Sequence, residues 1–201
     1  MLSRRHLLAL GAASSLISRR AATAAEPLKI LFVDTGNTGR SLMAETLARD
    51  LATRRGAPVA VISRGLDVDP FDEAPEANAR VLMADRGFDV SARRARPVAA
   101  ADVSHADLIL TMTRAHADKL IASFPQAKAQ TFTLAFYAKG SEEPIPDAWG
   151  KSMLAYRDVV AQLDRLLPLA LAKAVEARRS DTAPMARSST APGRPSGRSV
   201  E

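Results

Sequence analysis

The chain has 201 residues, enough for one domain with a sizeable core, and its formal net charge is +6. The excess positive charge lies at the two ends, because residues 26–177 carry 19 basic and 20 acidic side chains. A folded surface that binds nucleic acid is therefore not expected. The chain contains no cysteine, which excludes disulfides, thiolate metal sites and cysteine nucleophiles.

Residues 1–25 have the features of a twin-arginine export signal. Arg4 and Arg5 precede an apolar stretch, residues 7–17, that is too short to cross a bilayer as a permanent helix. Small residues at positions 22–25 fit a cleavage site. The sequence therefore predicts a signal peptide, export to the bacterial periplasm and no stable membrane anchor after leader removal.

The other end of the chain, residues 178–201, is rich in serine, proline, glycine and arginine and contains few residues that a core could bury. This composition predicts a disordered basic tail. The folded domain is accordingly predicted to span residues 26–177.

Apolar runs and helical spacing alternate along this domain. The predicted strands are residues 28–33, 58–62, 108–112 and 130–134. The predicted helices are residues 41–52, 76–86, 99–103, 115–123 and 152–171. The alternation predicts a three-layer α/β fold with a four-stranded parallel sheet flanked by helices. In such sheets ligands bind at the carboxyl ends of strands, so a site is expected after the first strand.

The segment after the first strand has the composition of an anion-binding loop. It reads Asp34-Thr35-Gly36-Asn37-Thr38-Gly39-Arg40-Ser41. Its glycines allow tight turns, and Asn37 tolerates a left-handed backbone while its amide braces the turn. The following helix brings the positive end of its dipole to the loop. Arg40 adds a planar guanidinium that can hold two phosphate oxygens.

The loop resembles that of the low-molecular-weight protein tyrosine phosphatases, in which a cysteine and five further residues precede Arg-Ser. This chain has VDTGNTGRSLMAE where many members have VCTGNTCRSPMAE. Further similarity lies in SARRARP, ADLILTMTRAHADK and PIPDAWGKSMLAY, in the same order as in the family. Together the matching segments cover about residues 28–172.

The resemblance implies phosphoryl transfer in two steps on a phosphate or phosphorylated ligand, without a cofactor or metal. It places the nucleophile at position 34, the phosphate clamp at Arg40 and the general acid and base at Asp147. The implied phosphate-binding residues are Thr35, Gly36, Asn37, Thr38, Gly39, Arg40 and Ser41. Trp149 would form a wall of the substrate pocket. Arsenate reduction, a related activity of this fold, is excluded because it requires cysteines.

Asp34 is the main departure from the family pattern, and three interpretations of it stay open. Asp34 could form an aspartyl phosphate, although such sites usually recruit Mg²⁺ and no second carboxylate is close in sequence. The loop could instead bind an oxyanion without turnover, against the repulsion of an ionised carboxylate. In the third interpretation, the Asp34 carboxylate itself accepts the loop N–H groups and so occupies the anion-binding position. The second and third describe a catalytically impaired pseudophosphatase, or a non-enzymatic interaction protein, and are favoured.

The remaining departures are smaller. Gly39 replaces a second loop cysteine, Leu42 replaces a proline, and Ala148 replaces the proline after the late aspartate. Elsewhere, His116 is expected on an exposed helix face. The acidic residues 67–73 and the basic residues 93–96 are expected to be solvated loops.

Overall fold

The computed structural model describes residues 26–182. The predicted signal peptide and residues 183–201 of the predicted tail lie outside the described residues.

Within the described residues a single sheet of four parallel strands forms the centre of the domain. The strands are β1 (Leu28–Asp34), β2 (Val59–Gly65), β3 (Leu108–Thr111) and β4 (Thr131–Thr133). Their order is β2-β1-β3-β4, so the strand order reverses beside β1. The predicted four-stranded parallel α/β sheet is confirmed. A ligand site is expected beside the carboxyl end of β1.

Helices cover both faces of the sheet in the described part of the chain. They are α1 (Arg40–Arg54), α2 (Ala77–Asp85), α3 (Ala100–His105), α4 (Arg114–Ser123), α5 (Leu134–Lys139) and α6 (Met153–Thr182). A 3₁₀ turn, Pro125–Gln130, leads into β4. Successive residues of β1 point to opposite faces, so Phe32 packs in the core with α1 and α6, and Val33 in a smaller core with α3.

Helix α6 is longer than the sequence predicts. It continues to Thr182, and one reason is that its apolar face persists as far as the buried Ala174. Beyond that, Arg178 forms an ion pair of 3.1 Å with Asp107, which follows α3. The predicted start of the tail at residue 178 is therefore too early, because the helix continues past it.

The sequence pattern does not predict helix α5, and it places residue 134 in the fourth strand. The strand ends at Thr133, whose hydroxyl accepts the Phe136 N–H at 3.3 Å as a helix cap. Gly140 ends the short helix in a left-handed conformation. The local cap thus ends the strand one residue earlier than the apolar pattern indicates.

No helix of residues 26–182 is both long and apolar enough to cross a membrane.

Candidate functional site

A pocket of about 290 Å³ opens at the carboxyl end of β1. It is lined by Asp34, Thr35, Gly36, Thr38, Arg40, Asp67, Asp69, Asp72, Glu76, Asp147 and Trp149. The pocket therefore brings together the three residues to which the resemblance gives catalytic roles. It also contains four carboxylates to which the resemblance gives no role, those of Asp67, Asp69, Asp72 and Glu76.

Asp34 lies at the base of the pocket and is 2% exposed. Its Oδ1 accepts the Asn37 N–H at 2.7 Å, and its Oδ2 accepts the Ser41 N–H at 2.8 Å. Ser41 is in the first turn of α1, where free N–H groups and the helix dipole stabilise an anion. The side-chain carboxylate thus occupies a position where the loop and helix can hold a negative charge.

Asn37 braces the loop in the way that the sequence predicts. It is the non-glycine residue with a left-handed backbone, φ 60°, among the described residues. Its amide donates to the Ser41 hydroxyl at 2.9 Å and to the Ser63 hydroxyl at 2.8 Å. Its side-chain Oδ1 accepts the Arg96 backbone N–H at 3.1 Å. One buried side chain therefore connects the loop to α1, β2 and the segment before α3.

Behind Asn37, a buried carboxylate from α1 completes this support. Ser63 donates to Glu45 Oε2 at 2.6 Å, and Arg93 donates to Glu45 Oε1 at 3.0 Å. Arg49 pairs with the same carboxylate from one turn further along α1. Arg94 and Arg96 are exposed, as expected for a solvated loop, whereas Arg93 is only partly exposed because it pairs with Glu45.

The loop packs closely on the end of β2. The Leu66 N–H donates to the Asp34 carbonyl at 3.0 Å, and the Asp67 N–H donates to the Thr35 carbonyl at 2.8 Å. A Cβ on Gly65 would lie 2.7 Å from that Thr35 oxygen. Only glycine fits this backbone contact, so β2 fixes the path of the loop.

Arg40 and Asp147 meet across the pocket. Arg40 Nη2 lies 3.2 Å from Asp147 Oδ1, and Arg40 Nη1 donates to the Ile145 carbonyl at 3.4 Å. The arginine is almost completely buried, whereas the aspartate side chain is 58% exposed. Trp149 lines the pocket mouth and is 66% exposed. The positions expected for a clamp, an acid and a wall are therefore occupied, but the guanidinium is already paired.

Glu76 is a pocket residue that sequence reasoning missed. It immediately precedes α2, and its Oε1 accepts the Thr38 hydroxyl at 2.9 Å, while its Oε2 accepts the hydroxyl of Tyr156. Burial raises the pKa of Glu76, and the nearby Asp34 and Asp147 raise it further. Burial and the bond to Glu76 likewise raise the pKa of Tyr156. The contacts join residues 38 and 80 positions apart, so no local sequence pattern indicates them.

His116 is buried, at 8% exposed, so the expectation of an exposed helix position is wrong. Its Nε2 lies 3.0 Å from the Thr35 hydroxyl, and its Nδ1 has no hydrogen-bond partner within residues 26–182. Burial and the nearby Arg40 guanidinium lower the pKa of His116, which favours a neutral ring. The imidazole therefore supports the loop from behind.

The acidic loop before α2 is also closer to the site than the sequence indicates. Asp67, Asp69 and Asp72 line the pocket, and Asp67 forms an ion pair of 3.5 Å with Lys119. Across residues 26–182, no three or more His, Asp or Glu side chains come together in a group that could hold a metal ion. The pocket thus places one paired arginine among several carboxylates, which disfavours a phosphate dianion.

Comparison with known proteins shows the family to which the chain is similar. The family model described as "Low molecular weight phosphotyrosine protein phosphatase" matches residues 29–181. A protein-arginine-phosphatase of Geobacillus stearothermophilus is 33% identical over 141 residues, which are 70% of this chain and 92% of that protein. A probable low-molecular-weight protein-tyrosine-phosphatase, EpsP of Ralstonia solanacearum, is 33% identical over 68% of this chain and 88% of its own length.

Solved structures give the same result. A mutant of the YwlE arginine phosphatase with a phosphorylated active-site serine has a TM-score of 0.72 and 30% identity, covering 76% of this chain and 99% of that one. A low-molecular-weight protein tyrosine phosphatase from Bacillus subtilis has a TM-score of 0.69 and 32% identity, with the same coverage of both chains. The chain therefore belongs to the low-molecular-weight phosphotyrosine protein phosphatase family.

Proposed function

We propose that this chain is a catalytically impaired member of its family, in which the Asp34 carboxylate takes the place of the substrate's phosphoryl group. The observation that carries the proposal is the pair of hydrogen bonds from the Asn37 and Ser41 amides, one to each carboxylate oxygen. Amides that would stabilise an equatorial phosphate oxygen are engaged by a residue of the chain itself.

Charge supports the same conclusion. Two unit charges at roughly 4 Å and an effective dielectric near 20 repel by about 4 kcal/mol, so a phosphate beside Asp34 would be strongly disfavoured. Arg40 is the arginine that lines the pocket, and Asp147 and the Ile145 carbonyl already share its guanidinium. The attraction that could offset the repulsion is therefore reduced.

A role that needs no turnover is recognition through the pocket mouth. Phe71 and Trp149 are 97% and 66% exposed, and both lie on segments that line the pocket or adjoin its lining. Exposed aromatic side chains are typical of binding surfaces. The relatives are named as protein-arginine-phosphatase and protein-tyrosine-phosphatase. Under this proposal the chain keeps their fold but lacks their phosphatase activity.

The test is hydrolysis of p-nitrophenyl phosphate by the wild-type protein and by Asp34→Cys. We expect negligible turnover by the wild type and measurable turnover by the variant, because Arg40 and Asp147 still line the same pocket. Robust wild-type activity that disappears in Asp34→Asn would overturn the proposal.

A second candidate function is phosphomonoester hydrolysis with Asp34 as the nucleophile. The similar structure with a phosphorylated serine favours it, because there an oxygen carries the phosphoryl group at the active site. An Asp34 oxygen would attack phosphorus, the ester bond would break, and Asp147 would protonate the leaving oxygen. Water would then hydrolyse the acyl phosphate. Mass spectrometry of the protein after incubation with p-nitrophenyl phosphate detects that intermediate on Asp34 if this function is correct.

A further inference from the structure

We propose that Glu76 is a specificity-determining residue that weakens the binding of oxyanions to the loop, in addition to the block by Asp34. This inference rests on the proposed function, because it assumes that the wild-type pocket does not hold a phosphate. It assigns the loss of phosphate binding to two residues on different elements rather than to one.

The position of Glu76 is fixed from two sides. The Thr38 hydroxyl of the loop donates to Oε1, and the Tyr156 hydroxyl of α6 donates to Oε2. The Glu76 N–H in turn donates to the Thr38 carbonyl at 3.1 Å. The carboxylate is therefore held against the loop by side chain and backbone, and it faces the pocket.

Gly39 provides the space that Glu76 occupies. A Cβ on Gly39 would lie 2.6 Å from Glu76 Oε1 and 2.9 Å from its carboxyl carbon. A side chain at position 39, where the family pattern has its second loop cysteine, would displace this carboxylate from Thr38 or Tyr156. The glycine at position 39, where the family has a cysteine, therefore leaves room for the Glu76 carboxylate.

The charge of Glu76 adds to that of its neighbours. Asp34 on β1 and Asp147 in the loop between α5 and α6 are close enough to raise the pKa of Glu76, whereas the Thr38 and Tyr156 hydroxyls stabilise its charged form. An oxyanion in the loop would meet this partly buried charge even if Asp34 were removed. Such a charge is screened less than an exposed one.

The experiment measures phosphate affinity by calorimetry at pH 8 in the background Asp34→Ala, which removes the first block. We expect Asp34→Ala/Glu76→Gln to bind phosphate at least tenfold more tightly than Asp34→Ala. Glutamine keeps the shape of Glu76 and removes its charge. Its oxygen can still accept one of the two hydroxyls, and the other hydroxyl can rotate to accept from the NH₂ group. At pH 4 the difference should shrink towards zero, because Glu76 becomes neutral in the parent protein.

The matched control is Asp34→Ala/Glu73→Gln. Glu73 is an exposed residue in the same segment, does not line the pocket, and undergoes the same chemical change. We expect its phosphate affinity to stay within twofold of that of Asp34→Ala. Equal gains from the two glutamine variants would show a general charge effect and overturn the role of Glu76.

The inference would also be overturned if Asp34→Ala and Asp34→Ala/Glu76→Gln bound phosphate with equal affinity, or if both proteins folded and neither bound it. If Asp34→Ala does not fold, the same comparison in Asp34→Cys replaces it. Phosphate binding requires no nucleophile, so the outcome is separate from turnover. Wild-type hydrolysis would contradict the proposed function, whereas an unchanged affinity in Asp34→Ala/Glu76→Gln relative to Asp34→Ala would contradict only this inference.

Discussion

At the scale of single residues, the main feature of the site is the Asp34 carboxylate, which accepts hydrogen bonds from two backbone N–H groups, one in the loop and one at the start of α1. Helix N-termini and loop amides bind anions readily, and the chain supplies such an anion itself at Asp34. The sequence leaves open whether this carboxylate attacks a phosphate, repels it or replaces it. Its two hydrogen bonds and its almost complete burial favour replacement.

Replacement makes Asp34 a contributor to stability. In Asp34→Asn, the amide NH₂ would face one of the two N–H donors, so one charge-assisted hydrogen bond is lost and a buried donor is left unsatisfied. We expect the free energy of unfolding, measured in urea, to fall by about 2–3 kcal/mol. Asp147→Asn is the control, and its cost should stay below about 1 kcal/mol because Asp147 is largely exposed. Equal costs in the two variants would contradict the internal role of Asp34.

Glu76 predicts a pH dependence of stability with an unusual sign for an acid. Its pKa in the folded state is raised above the ordinary value of 4.5. At a pH between the unfolded and the folded pKa, the native protein therefore binds more protons than the unfolded chain. The free energy of unfolding should therefore decrease as the pH rises through this window. Urea unfolding of wild type and Glu76→Gln across pH 4 to 8 measures the effect. A wild-type stability that rises relative to the variant would contradict it.

At the scale of elements, the loop between β1 and α1 could be predicted because its signal is local. Strand, glycines, arginine and helix follow one another within residues 28–54. Glu76 and His116 could not be assigned in this way, because they reach Thr38 and Thr35 over 38 and 81 residues. The structure adds their packing, which no periodicity in the sequence encodes.

The connection between α1 and β2 predicts a further stability effect. Glu45 is almost fully buried and binds Ser63 of β2 and Arg93 of the segment between α2 and α3. In Glu45→Gln the partly exposed Arg49 and Arg93 lose their charged partner and the buried hydrogen bonds weaken, so we expect a loss of about 2 kcal/mol in the free energy of unfolding. The exposed substitution Glu176→Gln on α6 should change it by less than about 0.5 kcal/mol. A similar small change in Glu45→Gln would show that the network does not support the loop.

At the scale of the whole molecule, the alternation of strands and helices was sufficient to predict the parallel sheet and the place of the pocket. The sequence did not predict that α6 continues to Thr182, because the ion pair between Arg178 and Asp107 joins distant parts of the chain. Nor did it predict that the acidic loop before α2 lines the pocket. These features depend on tertiary contacts rather than on local composition.

Export stays a prediction from residues 1–25. If Arg4 and Arg5 form a twin-arginine signal, replacing both with lysine should retain the protein in the cytoplasm with its leader uncleaved. Cell fractionation and the mass of the mature N-terminus measure the two effects. Unchanged processing of the double variant would contradict the predicted signal.

The most direct measurement is a calorimetric titration with phosphate of three proteins, namely the wild type, Asp34→Cys and Asp34→Cys/Arg40→Ala. If Asp34 occupies the anion site, the wild type shows no saturable binding. Asp34→Cys then binds phosphate, and the additional loss of Arg40 abolishes that binding. Saturable wild-type binding that disappears in Arg40→Ala would show that the loop still holds a phosphate in the presence of Asp34, and would contradict the replacement.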